Sequence, residues 1–231
     1  MHKIFSTAVV PQAEAYDLWI DVARVYICDH ESSVPDRSRF CAAIEVGKLD
    51  DLSFAAWQAD VSHSRARGTD TDDLCPSLLS CVAIEIAGRS FVINRNICLL
   101  DPREPHVAHS LEPNDRMIVR IPRKALGERM SLTTEVVNRP YPLQGDAALL
   151  AAFVRGIVRT GPSTLSPEVA SLVRNALLDL IAVALRPQSE PTGLDYVRSI
   201  MEAGILDAER IADRPARARA ALAQAGRRIR E

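Results

Sequence analysis

The chain is 231 residues long, 47% hydrophobic, and carries a formal net charge of −2 at pH 7. That apolar share is ample for a buried core in one domain or two small ones, and the near-neutral balance singles out no polyanionic partner for the chain as a whole. The cysteines Cys28, Cys41, Cys75, Cys81 and Cys98 are odd in number and form no C-x-x-C pair, which fits reduced thiols better than a disulfide framework or a zinc cluster.

In chain order, Pro11 to Ile27 places Ala15, Leu18, Trp19, Val22 and Val25/Tyr26 at helical spacing, with Pro11 acceptable in a first turn. Residues 29–43 are polar and read as a loop. Ala42–Val46 and Leu52–Val61 read as strands, the second mixed enough to be half-exposed. Ser62–Asp73 (SHSRARGTDTDD) reads as a polar connection with a basic knot, His63, Arg65 and Arg67. From Leu78 to Lys124 the chain holds short apolar runs, LLSCVAIEI, SFVI, ICLL and MIVRI, each closed by Gly, Asn, Asp, Arg or Pro. Such runs read as β-strands in close succession, antiparallel hairpins that close into a small barrel or sandwich.

The period changes after Pro122. Arg123–Met130 suits a short helix, and residues 131–145 form a loop with Pro140 and Pro142. Asp146 can cap a helix whose Leu149, Leu150, Phe153, Val154, Ile157 and Val158 line one face. Gly161-Pro162 ends it. Ser166, Pro167 and Glu168 make a helix start, followed by Val169, Leu172, Val173, Ala176, Leu177, Leu180, Ile181, Ala184 and Leu185 at helical spacing. So wide a stripe needs cover from the strands on one flank and from a companion helix or second subunit on the other. A homodimer contact is expected through Phe153, Ile157, Leu172, Ala176 and Leu180.

Residues 187–193 lie in the clearest linker, RPQSEPTG, which separates a domain over 1–186 from a segment over 194–231. Leu194–Ile205 is amphipathic, Asp207 can cap a further helix, and the text then becomes rich in Ala and Arg and too poor in large apolar residues to build a core. Ala208–Glu231 holds seven Arg against three acidic residues. Arg210, Arg217, Arg227 and Arg228 could neutralise nucleic-acid phosphates, giving weak, sequence-independent and salt-sensitive binding. The first residues lack the unbroken apolar core of a signal peptide, and ALLDLIAVAL is interrupted by Asp179 and too short to span a bilayer. A cytoplasmic protein without a membrane partner is expected.

Catalytic and metal chemistry find little support. His106, His109, His63 and Glu112 could be taken for ligands, but a cupin metal site needs a His-x-His pair, whereas His106 and His109 are spaced to leave opposite faces of a strand. No G-x-S-x-G elbow, activated cysteine or glycine-rich phosphate loop is present, so neither an enzyme nor a cofactor is expected. Ligand binding inside the barrel fits better. Phe54, Trp57, Phe91 and Ile93 are candidates to line the cavity, with His63, Arg65 or Arg67 meeting a carboxylate at its mouth; the alternative is that the aromatics only fill the core and the arginines are solvated.

FSTAVVPQAEAYDLW, GKLDDLSFAAWQAD, HSRAR and LLDPREPHVAHS…MIVRIPRKALGERM together resemble the N-terminal regulatory domain of AraC/XylS-type transcription regulators, closest to the AraC-binding-like group, over roughly residues 5–186. The resemblance implies an α+β fold: a cupin-like antiparallel β-barrel or jelly roll followed by a helical dimerisation region. It implies a small-molecule effector and a DNA-binding domain with two helix-turn-helix units. The family's usual proline-Gly-Asp turn is replaced by Asn94-Arg95-Asn96-Ile97, and Asn tolerates positive φ nearly as well as Gly. Leu194-Asp195-Tyr196-Val197-Arg198-Ser199-Ile200 resembles the opening of the DNA-binding domain, but about 100 residues would be needed to hold both units. The expectation is a sensor whose DNA-binding segment is an incomplete remnant. Its rivals are a stand-alone ligand-binding or dominant-negative dimerising module, and a cupin-type metalloenzyme.

Overall fold

The computed structural model describes residues 1–78, 82–93, 96–110 and 113–186. The expected segment over 194–231, its linker and the Asn94-Arg95 turn lie outside the described residues. The chain begins with β1 (His2–Ser6), α1 (Gln12–Tyr26) and β2 (His30–Ser33), then the hairpin β3 (Ala42–Leu49) and β4 (Leu52–Ala59). In that hairpin Leu49 pairs with Leu52, and Asp50 takes φ 57°, a left-handed conformation that Asp tolerates better than most residues. There follow β5 (His63–Ala66), β6 (Asp73–Leu78), β7 (Val82–Ile86), β8 (Arg89–Ile93), β9 (Ile97–Leu100), β10 (His106–Ser110), β11 (Asn114–Pro122), α2 (Arg123–Gly127), β12 (Pro140–Tyr141), α3 (Gly145–Thr160) and α4 (Pro167–Ala184).

The strands form two antiparallel sheets. One has seven strands in the order β1-β3-β4-β11-β6-β9-β12; the other has five, β2-β5-β10-β7-β8. Among the described residues only β3–β4 and β7–β8 join strands adjacent in the chain. Elsewhere the chain crosses to the other sheet, except from β11 to β12, which share one with α2 between them. Of the expected barrel or sandwich of sequential hairpins, the structure has two open antiparallel sheets that share no ladder among the described residues, and not a closed barrel. The expected loops over 29–43 and 62–73 are also corrected, since they contain β2 and β5.

Period-two alternation gives the large sheet two apolar faces. Leu52, Phe54, Leu74, Leu99, Val119 and Ile121 pack against Leu126, Leu150, Val154, Ile157, Leu177 and Ile181 of the three C-terminal helices. On the other face Ala55, Trp57 and Ile118 meet Tyr16, Trp19 and Ala23 of α1. Helix α4 starts where Ser166 Oγ accepts the Val169 N–H, with Pro167 at the first position. Arg174 fixes its flank to the β3–β4 turn, donating from Nε and Nη2 to the two carboxylate oxygens of Asp51 at 2.5 and 2.6 Å. Helix α3 stops at Gly161, where φ is 86° and Pro162 follows. Among the described residues no helix is long and apolar enough to cross a membrane.

Candidate functional site

A cavity of about 100 Å³ lies between the two sheets. Register decides which side chains enter it. Pairing sets Arg116 opposite Trp57 and Ile118 opposite both Ala55 and Ser77, so Trp57, Cys75, Ser77, Arg116 and Ile118 share the inner face of the large sheet. The small sheet supplies Ser64, Ile84, His106, Ala108 and Ser110, and β2 brings His30 and Ser32. Trp19 of α1 and Cys28 close the remainder, so both tryptophans of the chain line one space.

The polarity of the small sheet's inner face explains why β2 and β5 escape detection in the sequence. His30, Ser32 and Ser64 point into a cavity while Glu31, Ser33 and Arg65 face solvent, so neither face builds the apolar alternation that marks a half-buried strand.

Arg116 carries the only formal charge among the described lining residues. Its Nη2 donates to Ser110 Oγ, which lies 3.4 Å from Ser62 Oγ, and its buried Nε has no hydrogen-bond partner. Burial pushes its pKa down to about 10, with the nearby Cys28 working in the other direction, so it remains a cation at neutral pH. Burial pushes the thiols of Cys28 and Cys75 up to about 11 and about 12, against the pull of Arg120, so both stay protonated and supply no counter-charge. His30 and His106 are held below the usual histidine range, chiefly by burial. Their Nδ1 atoms lie 2.8 Å from the Cys28 carbonyl oxygen and 3.2 Å from the Glu104 carbonyl oxygen. A neutral ring that donates from Nδ1 leaves Nε2 as an acceptor.

Arg103 and Arg123 share a carboxylate. Asp101, 7% exposed, accepts from Arg123 Nη2 at 2.6 Å and from Arg103 Nη2 at 3.1 Å, while its backbone N–H donates to Asn138 Oδ1 at 2.9 Å. Burial works against the Asp101 carboxylate, yet the hydrogen bonds from Arg103 and Arg123 hold its pKa below the usual range. The Leu99-Leu100-Asp101-Pro102-Arg103 motif thus anchors the end of β9 to the start of α2.

The residues singled out from sequence scatter. Trp57 lines the cavity, but Phe54, three residues away on the same strand, faces the helices. Ile93 is fully buried and Phe91 partly buried in the small sheet's own apolar cluster with Val82 and Ile84. Arg65 is exposed, and Arg67 pairs with Glu31 at the surface. His63 faces His109 across the β5–β10 ladder, Nδ1 to Nδ1 at 2.9 Å. His106 and His109 leave opposite faces of β10, and among the described residues no cluster of His, Cys, Asp or Glu is placed to hold a metal ion. Sequence reasoning missed Arg116, Ser110, Ser64, Ser77 and His30. The available signal was an arginine inside the apolar stretch RMIVRI, on a strand with neighbours on both sides.

A second hollow of about 440 Å³ lies beside Ile118, between the end of α1 and β3, β4 and β11. Its buried cation, Arg120, donates from Nη2 to the Ile27 carbonyl at 3.1 Å. Lys48 and His2 sit with it, as do Ser53 and Ser163.

On α3 and α4, Leu172 (70% exposed), Ala176, Val169, Val183 and Leu149 face outward. Phe153 and Leu180 are half-buried against the core, and Ile157, only 6% exposed, is committed to it.

The family model for the AraC-binding-like domain matches residues 19–186. Among solved structures, the AraC-like transcriptional activator CuxR superposes with a TM-score of 0.65 at 17% identity, covering 90% of this chain and 82% of that one. At that identity the likeness shows the fold alone. A putative ethanolamine utilization protein from Salmonella typhimurium LT2 (TM-score 0.30, 7% identity, 36% of this chain and 71% of that one) is similar over a shorter stretch. So is KdgF from Halomonas sp. (TM-score 0.30, 14% identity, 41% and 88%). Neither is close enough to carry an argument. No curated protein matches the chain.

Proposed function

The chain belongs to the AraC-binding-like domain family, and on that ground we propose that it is the sensing part of a transcription regulator whose small-molecule effector binds between the two sheets. The family points to a regulatory domain and not to an enzyme. The observation that carries the reading is the cavity itself: a concave space between layers whose walls mix Trp57, Ile84 and Ile118 with several hydroxyls and one cation. That combination of apolar walls with a few converging polar groups is what small-ligand sites use. Binding would favour one arrangement of the sheets and helices over another by the ligand's difference in affinity for the two.

The same reading assigns the outward stripe of α4, Val169, Leu172, Ala176 and Val183, with Leu149 of α3, to a two-fold contact with a second copy. Arg210, Arg217, Arg227 and Arg228, outside the described residues, are the proposed contacts to DNA phosphates. Titration of compact ligands into the full chain, followed by the emission of Trp19 and Trp57, tests the sensing assignment. A saturable change supports it; the absence of any change across a broad set of compact molecules would remove it.

A further inference from the structure

Among the described residues Arg116 and Arg120 have no carboxylate partner, unlike Arg123 and Arg174, and of the two only Arg116 lines the cavity between the sheets. Arg123 meets Asp101 at 2.6 Å and Arg174 meets Asp51 at 2.5 Å. Among the described residues Arg116 meets only the hydroxyl of Ser110, its buried Nε meets no partner, and no carboxylate lies within ion-pair distance. A partly buried guanidinium without a counter-charge is costly, and an anion bound in the cavity would offset that cost. The surrounding surface matches one such anion. Hydroxyls of Ser62 and Ser110 lie beside the guanidinium, and Trp57, Ile84 and Ile118 supply apolar walls.

We infer that the cavity takes a compact monoanion, a small carboxylic acid in its ionised form, whose carboxylate sits on Arg116 and whose apolar body lies against Trp57, Ile84 and Ile118. The inference rests on the cavity being the effector site. One uncompensated cation calls for one negative charge, and a planar guanidinium fork matches a carboxylate in two parallel hydrogen bonds. Size follows from the volume: about 100 Å³ is of the same order as the ~150 Å³ engineered cavity in which benzene fits. Sugars, nucleotides and dicarboxylates are too large or carry the wrong charge.

The test uses the full chain and matched probes: benzoate with benzamide, and butyrate with butyramide, titrated by calorimetry and by tryptophan emission. The carboxylates are expected to bind at least about tenfold more tightly than their amides, ~1.4 kcal/mol. Arg116→Gln is expected to abolish that preference and Arg116→Lys to retain part of it. Amides binding as tightly as the acids, or a preference that survives in R116Q, would overturn the anion inference while leaving the cavity as a ligand site. No binding by any of the four probes at millimolar concentration would overturn the inference, and failure across a wider neutral set would remove the sensing assignment with it. Should R116Q fail to fold by circular dichroism, the acid-amide comparison on the unaltered chain decides alone.

Discussion

Arg116 and Trp57 are direct partners in the antiparallel ladder between β4 and β11, and both side chains enter the space between the sheets. Cross-strand partners hold their Cβ atoms roughly 5 Å apart, so a buried cation and an indole are fixed on the same wall of the cavity by backbone pairing alone. This arrangement places a fluorescent indole beside the cation.

The Arg116–Ser110 hydrogen bond gives the first prediction. Ser110→Ala removes the one side-chain acceptor that the guanidinium has among the described residues and leaves a buried donor unsatisfied. Stability should fall by about 1–3 kcal/mol, read as a lower urea midpoint with an unchanged slope. Saturating carboxylate should recover part of the loss, because a ligand that binds only the folded chain stabilises it.

The second prediction concerns Asp101. Asp101→Ala leaves Arg123, whose side chain is 20% exposed, with only the exposed Asp72 at 3.4 Å, whereas the half-exposed Arg103 loses little. Losing the acceptor of these hydrogen bonds should cost about 1–3 kcal/mol, lowering the melting temperature by roughly 2–12 °C. The same carboxylate is held below the usual range when folded, so its contribution is present above the unfolded pKa near ~4 and is lost as pH falls through the folded value.

A separate pH limb comes from histidine. His30, His106 and His109 are all held below the usual range, by burial first and, for His109, by the charge of His63 next. A depressed histidine leaves stability intact above the unfolded pKa of ~6.5, and below it the unfolded chain takes up protons first. Unfolding free energy should therefore decline from pH 7 to pH 5 in denaturant titrations, and His30→Gln with His106→Gln should flatten that decline. A flat profile in the unaltered chain would show that these rings are not buried in neutral form.

Exposure separates two kinds of helical leucine and isoleucine. Leu172→Glu changes a side chain that is 70% exposed and should leave the melting temperature within a few degrees, while light scattering at micromolar concentration shifts from a dimeric to a monomeric mass. Ile157→Ala empties a core position and should cost about 2–5 kcal/mol without changing the mass of the chain that remains folded.

The helices were legible because each carries an apolar face at helical spacing, and Ser166-Pro167 marks a start that the backbone uses. Strands β3, β4, β7, β9 and β11 were legible as apolar runs. Strands β2 and β5 were not, since their inner faces line a polar cavity and their outer faces meet water. Sheet partnership was hidden because successive strands change sheets, a property of chain path that no local period records. Phe54 and Trp57 show what period two alone can settle: three residues apart on a strand, they had to face opposite ways, and only Trp57 reaches the cavity. Arg116 needed the register as well, for an arginine on a strand is solvated or buried according to the face it falls on.

The most direct measurement is ligand titration of an Ala108→Phe variant beside the unaltered chain, followed by tryptophan emission. Ala108 lies on the wall contributed by β10, and a phenyl group there fills much of a cavity of about 100 Å³. Any compact ligand that binds the unaltered chain should lose binding to the variant by at least about a hundredfold, ~2.7 kcal/mol, while circular dichroism shows the fold retained. Unchanged affinity in a folded A108F chain would place the effector elsewhere and end the assignment of this cavity as the sensing site.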